Sequence, residues 1–293
     1  MHVIILGSEG FVGKNLVEYL QPKFNLITSD LYESQIQNNY FRVDIRNFNE
    51  LKKILQNIDV VIDLVANNLA SSFDQVVENA RVNIIGLLNI LEAARINNVK
   101  KIIFPSASSM IGVANHNPVQ ENHPAYPKTP YGVTKLASEH YLRIYKELYG
   151  IDFVIFRFFN IYGPHQLNGL IPNIIFKMKK KEPIQVFGKG NQIRDYVFIK
   201  DIARFFEKTI TSNVANNQFV NMGTGIGSTV INVIKTISKH MHMEPSIEHK
   251  QERLGEISNF VADTTLLRKL FGSVPDTSLD SGLKQTVEWY NSQ

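Results

Sequence analysis

The chain has 293 residues, 44% of them hydrophobic, with 31 Lys and Arg against 27 Asp and Glu for a formal charge of +4. That length allows one large α/β domain, or a domain with a smaller lobe, around a sizeable core. With no Cys, disulfides and thiolate metal sites are excluded, and a mild basic excess without a long Lys/Arg block suits anionic small molecules rather than nucleic acid.

The opening "MHVIILG" has a short apolar run and no small-residue cleavage pattern, so it reads as a first strand, "HVIIL", and not as a signal peptide. No run approaches the roughly 20 apolar residues that cross a bilayer. A helical period over 11–20 follows, then strands "FNLITSD", "YFRVDI" (40–45) and "DVVIDLVA" (59–66). Residues 73–97 predict one long helix, with Val76, Val77, Ala80, Ile84, Leu87, Leu88 and Leu91 on its apolar stripe. "KKIIFPS" (100–106) is a fifth strand, 129–149 a helix and "DFVIFRF" (152–158) a sixth strand. Strands alternating with helices imply a doubly wound parallel sheet of Rossmann type, covered on both faces. Beyond residue 159 the pattern loosens into the turn signals "NIYGPHQLNG", "FGKGNQ" and "NMGTGIGS". The expected organisation is a dinucleotide-binding domain over 1–159, with returns to the sheet near 194–222. A smaller C-terminal α/β lobe over 160–193 and 223–293 would bind substrate. His240 and His242 are the only close His pair, and no metal site is expected.

"GSEGFVG" places Gly7, Gly10 and Gly13 between a strand and a helix start. Glycines there allow the backbone to approach a pyrophosphate, and the helix N-terminus supplies N–H groups. The cradle would comprise Gly7, Gly10, Phe11, Val12 and Gly13. Asp30 closes the second strand, about twenty residues on, where a carboxylate accepts from ribose hydroxyls and repels a 2′-phosphate. NAD is therefore the expected cofactor. Asp44, with Ile45 after it, could face adenine; Asp44 as a helix cap for 47–56 is the competing reading.

"YGVTK" puts Tyr131 and Lys135 at i and i+4, on one helix face. A cation near a phenol favours the phenolate and so a general base.

With these motifs in order, the chain resembles the extended short-chain dehydrogenases/reductases, in the nucleotide-sugar epimerase/dehydratase group. "VNIIGLLNILEAARINNVKKIIF" (82–104), "NIYGPHQ", "GKGNQIRDYVFIKDIA", "NMGTGIG" and the late "RLGE…AD" extend the resemblance over nearly the whole chain. It implies that Tyr131 is the acid/base, and that Lys135 lowers its pKa and holds the nicotinamide ribose. It implies that Asn83 supports the cofactor, and that Asn160, Arg194 and Arg253 bind the diphosphate of a nucleotide sugar. The implied activity is an NAD-dependent epimerase acting at C4 through a 4-keto sugar, in a cytoplasmic homodimer serving polysaccharide biosynthesis. A 4-keto-sugar reductase and a catalytically degraded NAD-binding sensor or scaffold are the alternatives.

The chain departs from the family pattern in "FPSASSMIG" (104–112) and "VIDLVA". The usual catalytic Ser/Thr is Ala107, a usual Tyr is Ile111, and a usual His is Asp63. Losing the hydroxyl at 107 could cost about 10²–10³ in rate, by analogy with oxyanion donors. Ser108 is the expected replacement. It stands where dehydratase relatives carry an acid, so its side chain should face the sugar, and the lack of an acid pair argues against dehydration. Ser106 is second, placed on the same side by strand alternation, but its hydroxyl is expected mainly to bond backbone.

Overall fold

A computed structural model describes residues 1–34, 39–252 and 258–293. The chain divides into two compact units. Unit 1 comprises residues Met1–Gly112, Asn122–Phe158 and Ala203–Val220. Unit 2 comprises Val113–Glu121, Phe159–Ile202 and Asn221–Gln293.

In chain order, unit 1 begins β1 (His2–Leu6), α1 (Phe11–Leu20), β2 (Asn25–Asp30), β3 (Tyr40–Arg42), α2 (Phe48–Ile54) and β4 (Val60–Asp63). It continues with α3 (Val76–Ala80), α4 (Leu87–Ile96), β5 (Lys101–Ala107), α5 (Pro130–Tyr149) and β6 (Asp152–Phe158). Val3, Ile4, Ile5 and Leu6 are all buried, as a strand covered on both faces requires. β1 pairs in parallel with β2 on one side and β4 on the other. The sheet runs β3-β2-β1-β4-β5-β6 with one further strand outside β6. The order reverses between β1 and β4, so a crevice opens there beyond the carboxyl ends of the strands. Gly7 leaves β1 and Asp63 ends β4 at that point.

The structure differs from three expectations. The fourth strand, expected over 59–66, ends at Asp63. The third strand stops at Arg42, although Val43 and Ile45 still enter the core. The single helix over 73–97 is interrupted: Ser71–Phe73 is a 3₁₀ turn and Arg81–Gly86 a π turn. An extra residue per turn rotates what precedes it by about 100°. Leu87 and Leu91 are therefore buried while Val76 and Val77 face out, 52% and 66% exposed. At Gly86 an added Cβ would come within 2.3 Å of Ile45 Cδ1, so this helix packs close to the chain following β3.

Unit 2 holds β7 (Asn160–Tyr162), α6 (Leu170–Lys179), β8 (Ile184–Phe187) and β9 (Ile193–Phe198). α7 (Ile199–Thr211) then carries the chain into unit 1, and β10 (Gln218–Met222), the strand beside β6, brings it back. β11 (Gly227–Thr229), α8 (Val230–Met241), β12 (Ile247–Lys250), β13 (Asn259–Phe260), α9 (Thr265–Phe271) and α10 (Leu279–Asn291) complete unit 2. β9 is its organising strand, pairing with β7, β11 and β13. Asp195 in β9 is fully buried and accepts from Thr224 N, Gly225 N, Ala262 N and Thr224 Oγ1. Four donors offset much of the cost of burying a carboxylate, although burial still pushes its pKa up.

Candidate active site

Thr129 caps α5, its hydroxyl accepting from Gly132 N at 3.0 Å, and Pro130 occupies the first turn. At Gly132 a Cβ would stand 2.9 Å from Ser109 O. Only glycine lets this turn close on the 3₁₀ turn Ser108–Met110 that follows β5. Tyr131 and the serines are thereby drawn together. One turn further on, Lys135 Nζ donates to Pro105 O at 2.8 Å and lies 4.2 Å from the Phe104 ring centroid and 5.7 Å from that of Tyr131.

The electrostatics run opposite to the expected lowering of Tyr131. Tyr131 keeps part of its surface accessible, yet burial pushes the phenol up to about 12. Lys135 is lowered to about 8, because burial disfavours its ammonium more than Asp63 and Glu139 favour it. Asp63 is raised to about 6 by burial, opposed by Lys135 and by the hydrogen bond from Val65 N. In the protein alone, desolvation outweighs the attraction between Lys135 and a Tyr131 phenolate.

The serine stretch separates into three environments. β5 persists to Ala107 and Ser108 opens the turn, so strand alternation does not extend to Ser108. Ser108 is 8% exposed. Ser106 Oγ, expected to bond backbone, is buried without a hydrogen-bond partner, as is Ser109 Oγ. Each is a donor for which the described residues offer no acceptor.

The glycine turn has the form of a phosphate cradle. Gly7 adopts φ +84°, a region glycine enters without strain, and Gly7 N and Ser8 N both donate to Ser29 O. A Cβ on Gly13 would meet Gly7 O at 2.2 Å, so Gly13 is required by the chain itself. A Cβ on Gly10 would meet nothing nearer than Gly7 O at 3.5 Å, and Gly10 is exposed. Its bareness leaves room for an incoming group. Lys14 N is the first to bond back into α1, to Gly10 O. The N–H groups of Phe11, Val12 and Gly13 precede it and have no partner within the helix. Asp30 accepts from Glu9 N at 2.9 Å, Leu31 N at 2.7 Å and Tyr32 N at 3.3 Å. A carboxylate offers about four acceptor sites, so one remains for a hydroxyl. These features fit a dinucleotide.

Other expected residues are more committed. Asp44 is gripped by Arg46, whose Nη2 lies 2.6 Å away, and this hydrogen bond first of all holds its carboxyl below the usual range. It is not the cap of α2; Asn47 is, accepting from Glu50 N. Ile45 turns its side chain into the core, and its carbonyl accepts from Asn89. Asn83 sits in the π turn, accepts from Asn67 N, and donates to Asn67 O and Thr134 Oγ1. It thus ties the loop after β4 to α5. Asn160 and Arg194 belong to unit 2, where Asn160 Nδ2 donates to Asp195 O and Arg194 Nη1 to Ile193 O. Arg253 lies outside the described residues.

A sequence profile of the NAD dependent epimerase/dehydratase family matches residues 3–223. The chain belongs to that family. Among family relatives, a putative UDP-glucose 4-epimerase of Methanocaldococcus jannaschii is 32% identical, over 98% of this chain and 97% of its own length. The crystal structure of Thermotoga maritima UDP-glucose 4-epimerase with UDP-glucose superposes with a TM-score of 0.92 at 28% identity, covering 100% of this chain and 99% of that one. The Thermus thermophilus UDP-glucose 4-epimerase complexed with NAD gives 0.89 at 26% identity and 99% of both chains. This epimerase/dehydratase chain carries a feature that sequence reading noted only as a departure: Asp63, buried beside Lys135. Its signal was an acid ending an otherwise apolar buried strand.

The glycines differ in what they predict for stability. Gly13→Ala should destabilise the cofactor-free protein by about 1–3 kcal/mol, as overpacking does, whereas Gly10→Ala should leave its thermal midpoint close to wild type. Equal losses in thermal unfolding would contradict the steric assignment.

Proposed function

We propose that this chain is an NAD-dependent epimerase of a nucleotide-diphosphate sugar, acting at C4 through a transient 4-keto sugar. The observation that carries the proposal is Tyr131 and Lys135 on adjacent turns of α5, closed against the serine turn by Gly132, in the unit that holds the glycine cradle.

Gly7, Gly10 and Gly13 with the first turn of α1 would hold the pyrophosphate, and Asp30 the adenosine ribose. Bound NAD supplies a hydride acceptor that becomes the donor on return, and its oxidised nicotinamide brings a formal positive charge that favours a phenolate. Tyr131 removes the proton from the C4 hydroxyl and returns it to the ketone oxygen after the sugar has turned over. Lys135 places an ammonium on the same face as Tyr131. Ser108 donates a hydrogen bond to the reacting oxygen, the role left open by Ala107. Asn160, Arg194 and Arg253 are assigned to the diphosphate, whose oxygens an Arg fork can pair in bidentate fashion.

The proposal extends to a cytoplasmic homodimer in polysaccharide biosynthesis. Phe73, Val76, Val77, Ile85 and Leu148 are exposed apolar residues on helical segments of unit 1, and an association surface would cover some of them. A strictly monomeric mass in sedimentation would contradict the dimer.

Titration with both cofactors should give a lower Kd for NAD than for NADP, in wild type and Tyr131→Phe alike, while turnover disappears in the variant. Normal turnover without the phenol oxygen, or tighter binding of NADP, would contradict the assignments of Tyr131 and Asp30.

Ser108→Ala should lower kcat by about 10²–10³ with little change in substrate affinity. Ala107→Ser, introduced into that variant, should restore most of the loss. A large loss at Ser106→Ala in place of Ser108→Ala would move the donor role two residues back, into β5.

A further inference from the structure

Lys135 and Asp63 are among the most buried charged groups in the chain, 3% and 2% exposed. Neither is well satisfied by hydrogen bonds. Among the described residues Lys135 Nζ makes one, to Pro105 O, and the Asp63 carboxylate accepts one, from Val65 N at 3.1 Å. They form no direct ion pair, but each acts electrostatically on the other.

The charges around Lys135 can be taken element by element. α5 contributes Tyr131 and Glu139. β5 contributes no ionisable group, only the Phe104 ring face and the Pro105 carbonyl. β6 contributes Arg157, which grips Glu139 in bidentate fashion, Nε to Oε1 at 3.0 Å and Nη2 to Oε2 at 2.7 Å. The α3 and π-turn side contributes the neutral amides of Asn79 and Asn83. β4 contributes Asp63. Two carboxylates therefore act on Lys135, and Arg157 neutralises one of them. Asp63 supplies the remaining uncancelled negative charge.

We propose that Asp63 is a positioning residue for the reaction: its buried carboxylate at the end of β4 keeps Lys135 an ammonium at neutral pH, and so sets the charge that Tyr131 works beside. The inference rests on the roles given above to Tyr131 and Lys135. A buried ammonium over an aromatic face, with one hydrogen bond, is otherwise poorly supported against loss of its proton. The depressed Lys135 and raised Asp63 ionisations fit two groups whose burial is only partly offset by each other.

Asp63→Asn separates charge from structure, because an amide carbonyl can still accept from Val65 N. Asp63→Ser is the second variant, with a hydroxyl for the same N–H. In protein labelled at lysine Cε with ¹³C, Lys135 is assigned by the resonance lost in Lys135→Arg. Its titration midpoint should fall by at least about one pH unit in either Asp63 variant, a tenfold change in proton affinity. This readout needs no turnover, so it fails separately from the epimerase reading. In the NAD-loaded enzyme kcat should also be lost selectively with pH. A variant lacking Asp63 should stay within about threefold of wild type at pH 6 and fall at least about tenfold by pH 8. A folded variant with an unmoved Lys135 midpoint overturns the proposal, as does a loss of kcat equal at every pH, the mark of a purely structural residue. Should neither variant fold, the wild-type Lys135 resonance must show a second, acidic inflection from Asp63, and its absence overturns the proposal equally.

Discussion

The site depends on one close approach, that of the first turns of α5 to the end of β5. Gly132 has no room for a side chain against Ser109 O, and Lys135 reaches the carbonyl of Pro105 one turn later. The cap at Thr129 and Pro130 begins the helix at the position that makes both contacts. A start one residue earlier or later would rotate Tyr131 and Lys135 by about 100° around the helix. Asn83 and Asn79 brace the other side through Thr134, so the first turns of α5 are held from two directions.

That approach brings an electrostatic cost. Tyr131, Lys135 and Asp63 all lie where burial disfavours their charged forms. In the protein alone the phenol is therefore a weaker acid than in water, so little phenolate is present to serve as base. The phenolate must be favoured by charge that arrives with the bound cofactor and by Lys135 remaining protonated. A site of this kind is quiet until its cofactor is bound.

Much of this was legible in the sequence, for reasons that differ by element. β1 and β6 match their apolar runs residue for residue because both faces of a parallel strand are buried and little else competes. The Gly7, Gly10 and Gly13 spacing, Asp30, and the Tyr131/Lys135 pair are local patterns, and the structure places them in one unit. The break at 81–86 was not legible, because a π turn leaves the apolar spacing helical while shifting its face. Nor was the commitment of Asp44 to Arg46, since both readings of that acid assumed a free carboxylate. The place of Asp63 was visible only as an oddity. Its meaning depends on Lys135 of α5, distant in sequence, which lies over Phe104 and acts electrostatically on Asp63.

The central claim is that C4 loses and regains the same hydride while Tyr131 handles only the hydroxyl proton. Isotope tracing in D₂O tests it most directly, by incubating the NAD-loaded protein with a UDP-sugar and reading the product by NMR and mass spectrometry. The account predicts the C4 epimer with no solvent deuterium on any carbon. Deuterium at C3, C4 or C5 of the sugar, or a net-reduced or dehydrated product without the C4 epimer, would contradict it.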